Sequence, residues 1–286
     1  MKNRACTQAA RIDARSELIQ LLLLAATVIL VMLSLAPEAA ARGAWPGYGH
    51  KPTIVLVHGA WAGPSGWKDV VRDLHNDGYR TVTPALDLLS IEGDVAIVRD
   101  TLDAIHGDKI LVGHSYGGVV ISNAAYGRSD ILALVYTAAI VPEEGESVVS
   151  VGEGYVPSAA LDHLVFTGEA WNSPALIDPA FFHEIFAADL SPRKAAAMNA
   201  AQGATHPAAL LSPSGPVAWH DLPTYYAVSG KDLIIDPNEQ RWMAERAGAT
   251  TIEFANASHV GGFAAHADDF TALITRAIRD TTHRPR

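Results

Sequence analysis

Ile110-Leu111-Val112-Gly113-His114-Ser115-Tyr116-Gly117-Gly118-Val119-Val120 is the stretch that decides how the rest of the chain is read. Ile110–Val112 is a short, continuous apolar run, the pattern of a strand covered on both faces. The Ala- and Val-rich segment from about Gly118 to Tyr126 reads as a helix. Between them, Gly113-x-Ser115-x-Gly117 fits a sharp strand-to-helix turn that holds a serine in a strained conformation with its hydroxyl exposed. The helix N-terminus behind it adds free N–H groups and the positive end of a dipole, which favour negative charge developing on a bound carbonyl oxygen.

A serine hydroxyl is a weak nucleophile at neutral pH and needs a base and an acid that orients the base. Both should follow later strands. Tyr225–Val228 and Thr250–Phe254 read as strands, and His259 lies just past the second of them, in Asn256-Ala257-Ser258-His259-Val260-Gly261-Gly262. The other histidines fit less well: His114 is in the turn itself, His266 reads as part of the final helix, and His163, His183, His206 and His220 fall in a different segment. Two acids follow the earlier strand. Asp236, with Pro237 next and Glu239 three residues on, reads as a helix start, which leaves Asp232 to hold the imidazole. The resulting order is Ser115, Asp232, His259. After the first strand, Thr53–Val57, the small residues of His58-Gly59-Ala60-Trp61 allow a backbone amide to reach a substrate oxygen. The N–H groups of Ala60 and Tyr116 are the expected oxyanion donors. Trp61 has two readings, as a wall of the acyl pocket or as packing for this loop.

Further outward, Thr81–Thr83 and Ile131–Tyr136 complete six short strands. Val95, Val98, Leu102 and Ile105 recur at helical spacing, as do Phe270, Leu273, Ile274, Ala277 and Ile278. Alternation of this kind predicts an α/β fold with a mainly parallel sheet flanked by helices. From about 142 to 221 the rhythm stops. Asp178-Pro179 and Ser191-Pro192 each look like an N-cap followed by Pro at the first helical position, so this segment is expected to be a cap of short helices without strands. Its aromatic residues, Phe166, Trp171, Phe181 and Phe182, suggest apolar walls, with Phe166 as a candidate substrate contact.

Together, Val57-His58-Gly59-Ala60-Trp61, Gly113-His114-Ser115-Tyr116-Gly117-Gly118, Lys231-Asp232 and Ser258-His259 resemble the α/β-hydrolase superfamily over roughly residues 53–279. The stretch Gln240-Arg241-Trp242-Met243-Ala244-Glu245-Arg246-Ala247-Gly248-Ala249 is similar to the esterase branch that holds plant methylesterases, hydroxynitrile lyases and bacterial pyrethroid-hydrolase-like enzymes. The resemblance implies a helical cap over the site, no cofactor and a small-molecule ester as substrate. The lyases of this branch carry Thr at the position of Gly59 and Lys at that of Val260, which weighs against cyanohydrin cleavage. Ser115 excludes relatives that use an aspartate at the turn. Two other readings keep the same residues: cofactor-free perhydrolysis or lactone opening, and a non-catalytic ligand-binding member of the fold.

Composition limits the alternatives. The 286 residues include one cysteine, 21 Lys+Arg and 31 Asp+Glu, a net charge of −10 that argues against nucleic acid or anionic lipid surfaces as partners. His183-Glu184 lacks a second histidine at helical spacing, so no metal site is expected. Leu18 to Pro37 is an uncharged apolar stretch preceded by Lys2, Arg4, Arg11 and Arg15, and Ala39-Ala40-Ala41 supplies a small-x-small cleavage pattern. Residues 1–41 therefore read as a signal peptide or as an uncleaved membrane anchor, residues 42–52 as a linker and 53–286 as the hydrolase domain. Either reading places the domain outside the cytoplasm, as a periplasmic or secreted protein or as an anchored one. Cleavage after Ala41 would remove Cys6 and leave a thiol-free chain, consistent with a serine nucleophile.

Overall fold

The computed structural model describes residues 51–282, and the sheet begins almost at once. β1 (Thr53–Val57) is buried at every position and lies parallel between β2 (Thr81–Val82) and β3 (Lys109–His114). β3 is also buried throughout, and β4 (Ile131–Thr137) pairs parallel on its far side. Parallel neighbours need crossovers, and the chain supplies one helix for each: α1 (Lys68–Asn76), α2 (Ile91–Asp103) and α3 (Gly117–Ala124). α2 starts where Ser90 Oγ accepts from Gly93 N–H at 3.1 Å, and it buries Val98 and Leu102 as their spacing predicts. Ile105 is buried too, just beyond the helix end.

After β4 the chain leaves the sheet and returns at Thr224. It forms α4 (Val148–Val151), the strands β5 (Leu164–Phe166) and β6 (Ala175–Ile177), then α5 (Phe182–Phe186), α6 (Pro192–Ala200) and α7 (Pro207–Leu211). α6 begins as expected, with Ser191 Oγ accepting from Lys194 N–H. Asp178 behaves differently: its Oδ1 accepts from Ala180 N–H at 2.9 Å, making a turn, and the helix starts only at Phe182. The antiparallel pair β5–β6 corrects the expectation of a strand-free segment. Each strand is only three residues long, too short for the two-residue alternation to stand out in the sequence, and the pair is closed by Thr167, whose N–H and Oγ1 both donate to Pro174 O.

β7 (Thr224–Ser229) pairs parallel with β4, and α8 (Pro237–Arg246) leads to the edge strand β8 (Thr250–Phe254). The six-stranded order is β2-β1-β3-β4-β7-β8, parallel throughout. A short α9 (Gly261–Ala264) precedes α10 (Ala267–Thr282), which packs on α1, β3, β4 and β7 through Phe270, Leu273, Ile274, Ala277 and Ile278. His266 lies one residue before α10 rather than inside it, and its ring stacks on Phe254.

Because the sheet is parallel, the segments that follow β1, β3, β7 and β8 all emerge at one edge. Those segments carry Ala60, Ser115, Asp232 and His259 respectively. The expected export segment, residues 1–41, and most of the 42–52 linker lie outside the described residues. Among the described residues no helix is long and apolar enough to cross a membrane.

Candidate active site

Ser115 occupies the junction of β3 and α3 with φ at +55°, the left-handed region that a non-glycine residue adopts only when its surroundings enforce it. Backbone bonds hold it there: Ser115 O accepts from Gly118 N–H at 2.9 Å and from Ile140 N–H at 3.1 Å. The turn is packed against β1 so closely that a Cβ on Gly117 would lie 2.6 Å from Val57 O. A Cβ on Gly59 would lie 2.6 Å from the Cβ of Ser115 itself, so the loop after β1 can touch the serine only because residue 59 is glycine.

Asp232 and His259 meet directly. His259 Nδ1 lies 2.7 Å from Asp232 Oδ2, and both side chains are sealed from solvent. Asp232 Oδ1 accepts from the N–H groups of Ile234 at 2.7 Å and Ile235 at 3.1 Å, and Oδ2 accepts a second bond from Gln240 Nε2 at 2.8 Å. An acid surrounded by donors in this way is acceptor-only, so the proton of the neutral imidazole sits on Nδ1 and Nε2 is left bare. His259 Nε2 is buried and has no hydrogen-bond partner among the described residues, Ser115 included. The carboxylate and the imidazole are therefore joined in this structure, while the serine shares their sheet edge without a bond to the imidazole. Such bonds commonly tighten only with substrate in place.

Two further histidines support the site. His114 is fully buried, and burial pushes its pKa well below the usual imidazole range, so it is neutral; its Nε2–H donates to His259 O at 3.1 Å. His58 Nε2 accepts from Leu86 N–H at 3.1 Å, which places its proton on Nδ1, where it donates to Gly59 O at 2.9 Å. Burial lowers the His58 pKa and favours this neutral form. Each imidazole thus anchors backbone next to a candidate catalytic group.

Ala60, Trp61, Ser115 and Tyr116 line one cavity of about 320 Å³. The amides of Ala60 and Tyr116 donate to no other group among the described residues, as free oxyanion donors must. The Tyr116 ring is buried, and its hydroxyl donates to Asp94 Oδ2 at 2.7 Å. Asp94 also accepts from the N–H groups of Asp87 and Leu88, while burial raises the pKa of both Asp94 and Tyr116. Trp61 fits both of its readings: it lines the cavity, and it holds the loop through Trp61 N–H to Thr205 Oγ1 at 3.0 Å and Nε1–H to Ala175 O at 3.1 Å.

The structure does not bring Phe166 to this cavity. Phe166 sits on β5 with its ring 5.2 Å from that of Trp171, and Phe182 packs on Phe186 instead. From the segment between β4 and β7 the cavity is lined by Val148, Val149, Tyr155, Val156 and Leu161, and from the loop and helix after β7 by Ile234, Ile235 and Glu239. The sequence reading missed these residues, since the stretch from Gly152 to Ser158 has no periodicity. It also missed Gln240, whose signal is its position on the first turn of α8, one turn beyond the Asp236 cap that holds Asn238 N–H at 2.8 Å. That cap confirms the helix-start role read for Asp236.

The solved structures that resemble this fold include a pyrethroid hydrolase from Sphingobium faniae, at a TM-score of 0.65 and 21% identity over 79% of this chain and 97% of that one. Polyneuridine aldehyde esterase superposes with a TM-score of 0.67 at 18% identity, over 79% of this chain and 99% of the other. In sequence, a carbendazim-hydrolysing esterase from a Nocardioides species is 38% identical over 110 residues, which are 34% of this chain and 46% of that protein. An alpha/beta hydrolase of Aspergillus novofumigatus is 26% identical over 215 residues, 68% of this chain and 84% of its own. The sequence model of the Alpha/beta hydrolase family matches residues 54–273, from β1 into α10, and the chain belongs to that family.

Proposed function

We propose that the protein is a serine carboxylesterase. Ser115 Oγ attacks the ester carbonyl while His259 Nε2 takes its proton, and the amides of Ala60 and Tyr116 hold the oxyanion. Asp232 keeps the imidazole in the tautomer that leaves Nε2 bare and stabilises the imidazolium once it forms. The imidazolium then returns the proton to the departing alkoxide, leaving the acyl group on Ser115. A water deprotonated by His259 attacks that acyl group, and the acid leaves as Ser115 regains its proton.

The observation that carries this reading is the sealed 2.7 Å Asp232–His259 pair, with Nε2 free, at the sheet edge that also holds a left-handed Ser115. The largely apolar cavity suits esters with small or medium hydrophobic arms. Residues 142–221 act as the cap over it, and residues 1–41 serve as the export segment, read from their charge and hydropathy pattern. Purified Ser115→Ala assayed with p-nitrophenyl butyrate tests the central role: hydrolysis falls to the background level if Ser115 is the nucleophile, and wild-type turnover would refute it.

A further inference from the structure

Glu239 has no task in ester cleavage as written above. It is the third residue of α8, where an acid ordinarily closes a capping box by accepting from the N-cap amide. Here it makes no such bond. The capping is done by Asp236 Oδ1, and no described residue donates a hydrogen bond to Glu239 or forms an ion pair with it. Glu239 is nonetheless only 4% exposed. It lines the cavity that holds Ser115, and both carboxyl oxygens flank Gly152, where a Cβ would lie 3.4 Å from each.

The surroundings make this carboxyl conspicuous. Val148, Val149, Leu161, Ile234 and Ile235 line the same cavity, and among the described residues no Lys, Arg or His lines it. The charged groups that act on it are Asp236 at the head of its own helix and Asp232 in the preceding loop, which is paired with His259, and Glu153 lines the same cavity. Burial, with smaller contributions from Asp236 and Asp232, pushes the Glu239 carboxyl up to about 7. A buried carboxyl without a donor is unfavourable, and a ligand that brings both positive charge and an N–H removes that cost. An uncharged alkyl arm does not.

We propose that Glu239 determines specificity by pairing with a protonated amine on the acyl or alcohol arm of the substrate, so that the cavity selects amine-bearing esters over neutral isosteres. The inference rests on the esterase reading for the identity of the ligand, but the binding of an amine can be measured without any turnover. Ligand binding converts Glu239 to its ionised form, so amine affinity rises with pH across the neutral range while that of a neutral isostere does not.

The test has two arms. In the first, hexylammonium and 1-hexanol are titrated calorimetrically into wild-type protein, Glu239→Gln and Glu239→Met at about pH 8 and about pH 6. Wild type should bind the ammonium at least about tenfold more tightly at the higher pH, a difference worth about 1.4 kcal/mol. Both variants should lose that preference and its pH dependence, with thermal melts confirming that they are folded. Equal binding of the two probes by wild type, or a preference that survives in both folded variants, overturns the inference. In the second arm, kcat/KM is compared for 2-(dimethylamino)ethyl and 3-methylbutyl hexanoate. Preference for the amine in wild type that is lost in Glu239→Gln supports the proposal. Cleavage of both esters without preference overturns it while the esterase reading stands. Cleavage of neither overturns the esterase reading, and the first arm then decides whether Glu239 is an amine site.

Discussion

Asp232 Oδ2 accepts from both His259 Nδ1 and Gln240 Nε2, at 2.7 and 2.8 Å, so one buried oxygen ties the imidazole to the first turn of α8. The imidazole is thereby oriented by a helix as well as by a loop. Replacing the acid changes the proton inventory more than the packing. In Asp232→Asn the side-chain amide can donate toward Nδ1 and favour the tautomer that carries its proton on Nε2. We expect kcat to fall by about 10³–10⁴ with a much smaller change in KM, measured by steady-state ester hydrolysis.

In the proposed mechanism Gln240 is a positioning residue. Besides serving Asp232, its Nε2 donates to Ile235 O at 2.9 Å and its Oε1 accepts from Ser229 N–H at 2.9 Å. Gln240→Leu leaves a buried amide and one oxygen of Asp232 without these partners. The expected loss is about 1–3 kcal/mol of stability by urea denaturation. A kcat lowered by about tenfold with KM nearly constant would mark the loss of imidazole orientation, and Gln240→Asn should not restore it, because its shorter side chain cannot reach both neighbours.

These positions show what the sequence makes legible. Ser115 and Asp232 follow strands that are buried throughout, His259 follows the edge strand Thr250–Phe254, and a parallel sheet brings the ends of all three to one edge by geometry alone. The fold and the order of the site residues could be read for that reason. The cap could not. β5 and β6 are each three residues long, too short for a two-residue alternation to show in the sequence. Phe166 looked like a pocket residue because aromatic side chains in short elements look the same whether they face a cavity or one another. Glu239 sits where an acid ordinarily closes a capping box, so the sequence reads it as a helix-start residue, and only the fold shows it lining the cavity beside Gly152.

The Tyr116 hydroxyl anchors the residue whose amide faces the expected oxyanion. Tyr116→Phe removes one of three donors from the buried Asp94 carboxyl, the others being Asp87 N–H and Leu88 N–H. We expect a stability loss of about 1–3 kcal/mol at neutral pH, read from chemical denaturation. Asp94 is already raised by burial and would rise further, so the variant should lose stability more steeply than wild type as pH increases from the ordinary carboxylate range toward neutrality.

Glu239 makes a separate prediction about pH and stability. Its pKa in the folded protein is about 7, above the ordinary value of 4.5, so the folded state holds this proton more tightly than the unfolded chain does. Its contribution is fully present below about pH 4.5 and is lost as pH rises through about 7, a change of up to about 3 kcal/mol. Glu239→Gln should flatten this part of the stability curve and melt higher than wild type at about pH 8. Parallel curves for the two proteins between about pH 4 and pH 8 would show that the carboxyl is not held in the buried, unpaired state described.

Covalent labelling measures directly whether Ser115 is the nucleophile. Wild-type protein is incubated with a fluorophosphonate, and the modified peptide is located by mass spectrometry. The expected result is one stoichiometric adduct on Ser115, loss of ester hydrolysis in step with labelling, slow labelling in His259→Ala and none in Ser115→Ala. An unmodified Ser115 in protein that still cleaves esters, or an adduct on a different residue that abolishes activity, would contradict it.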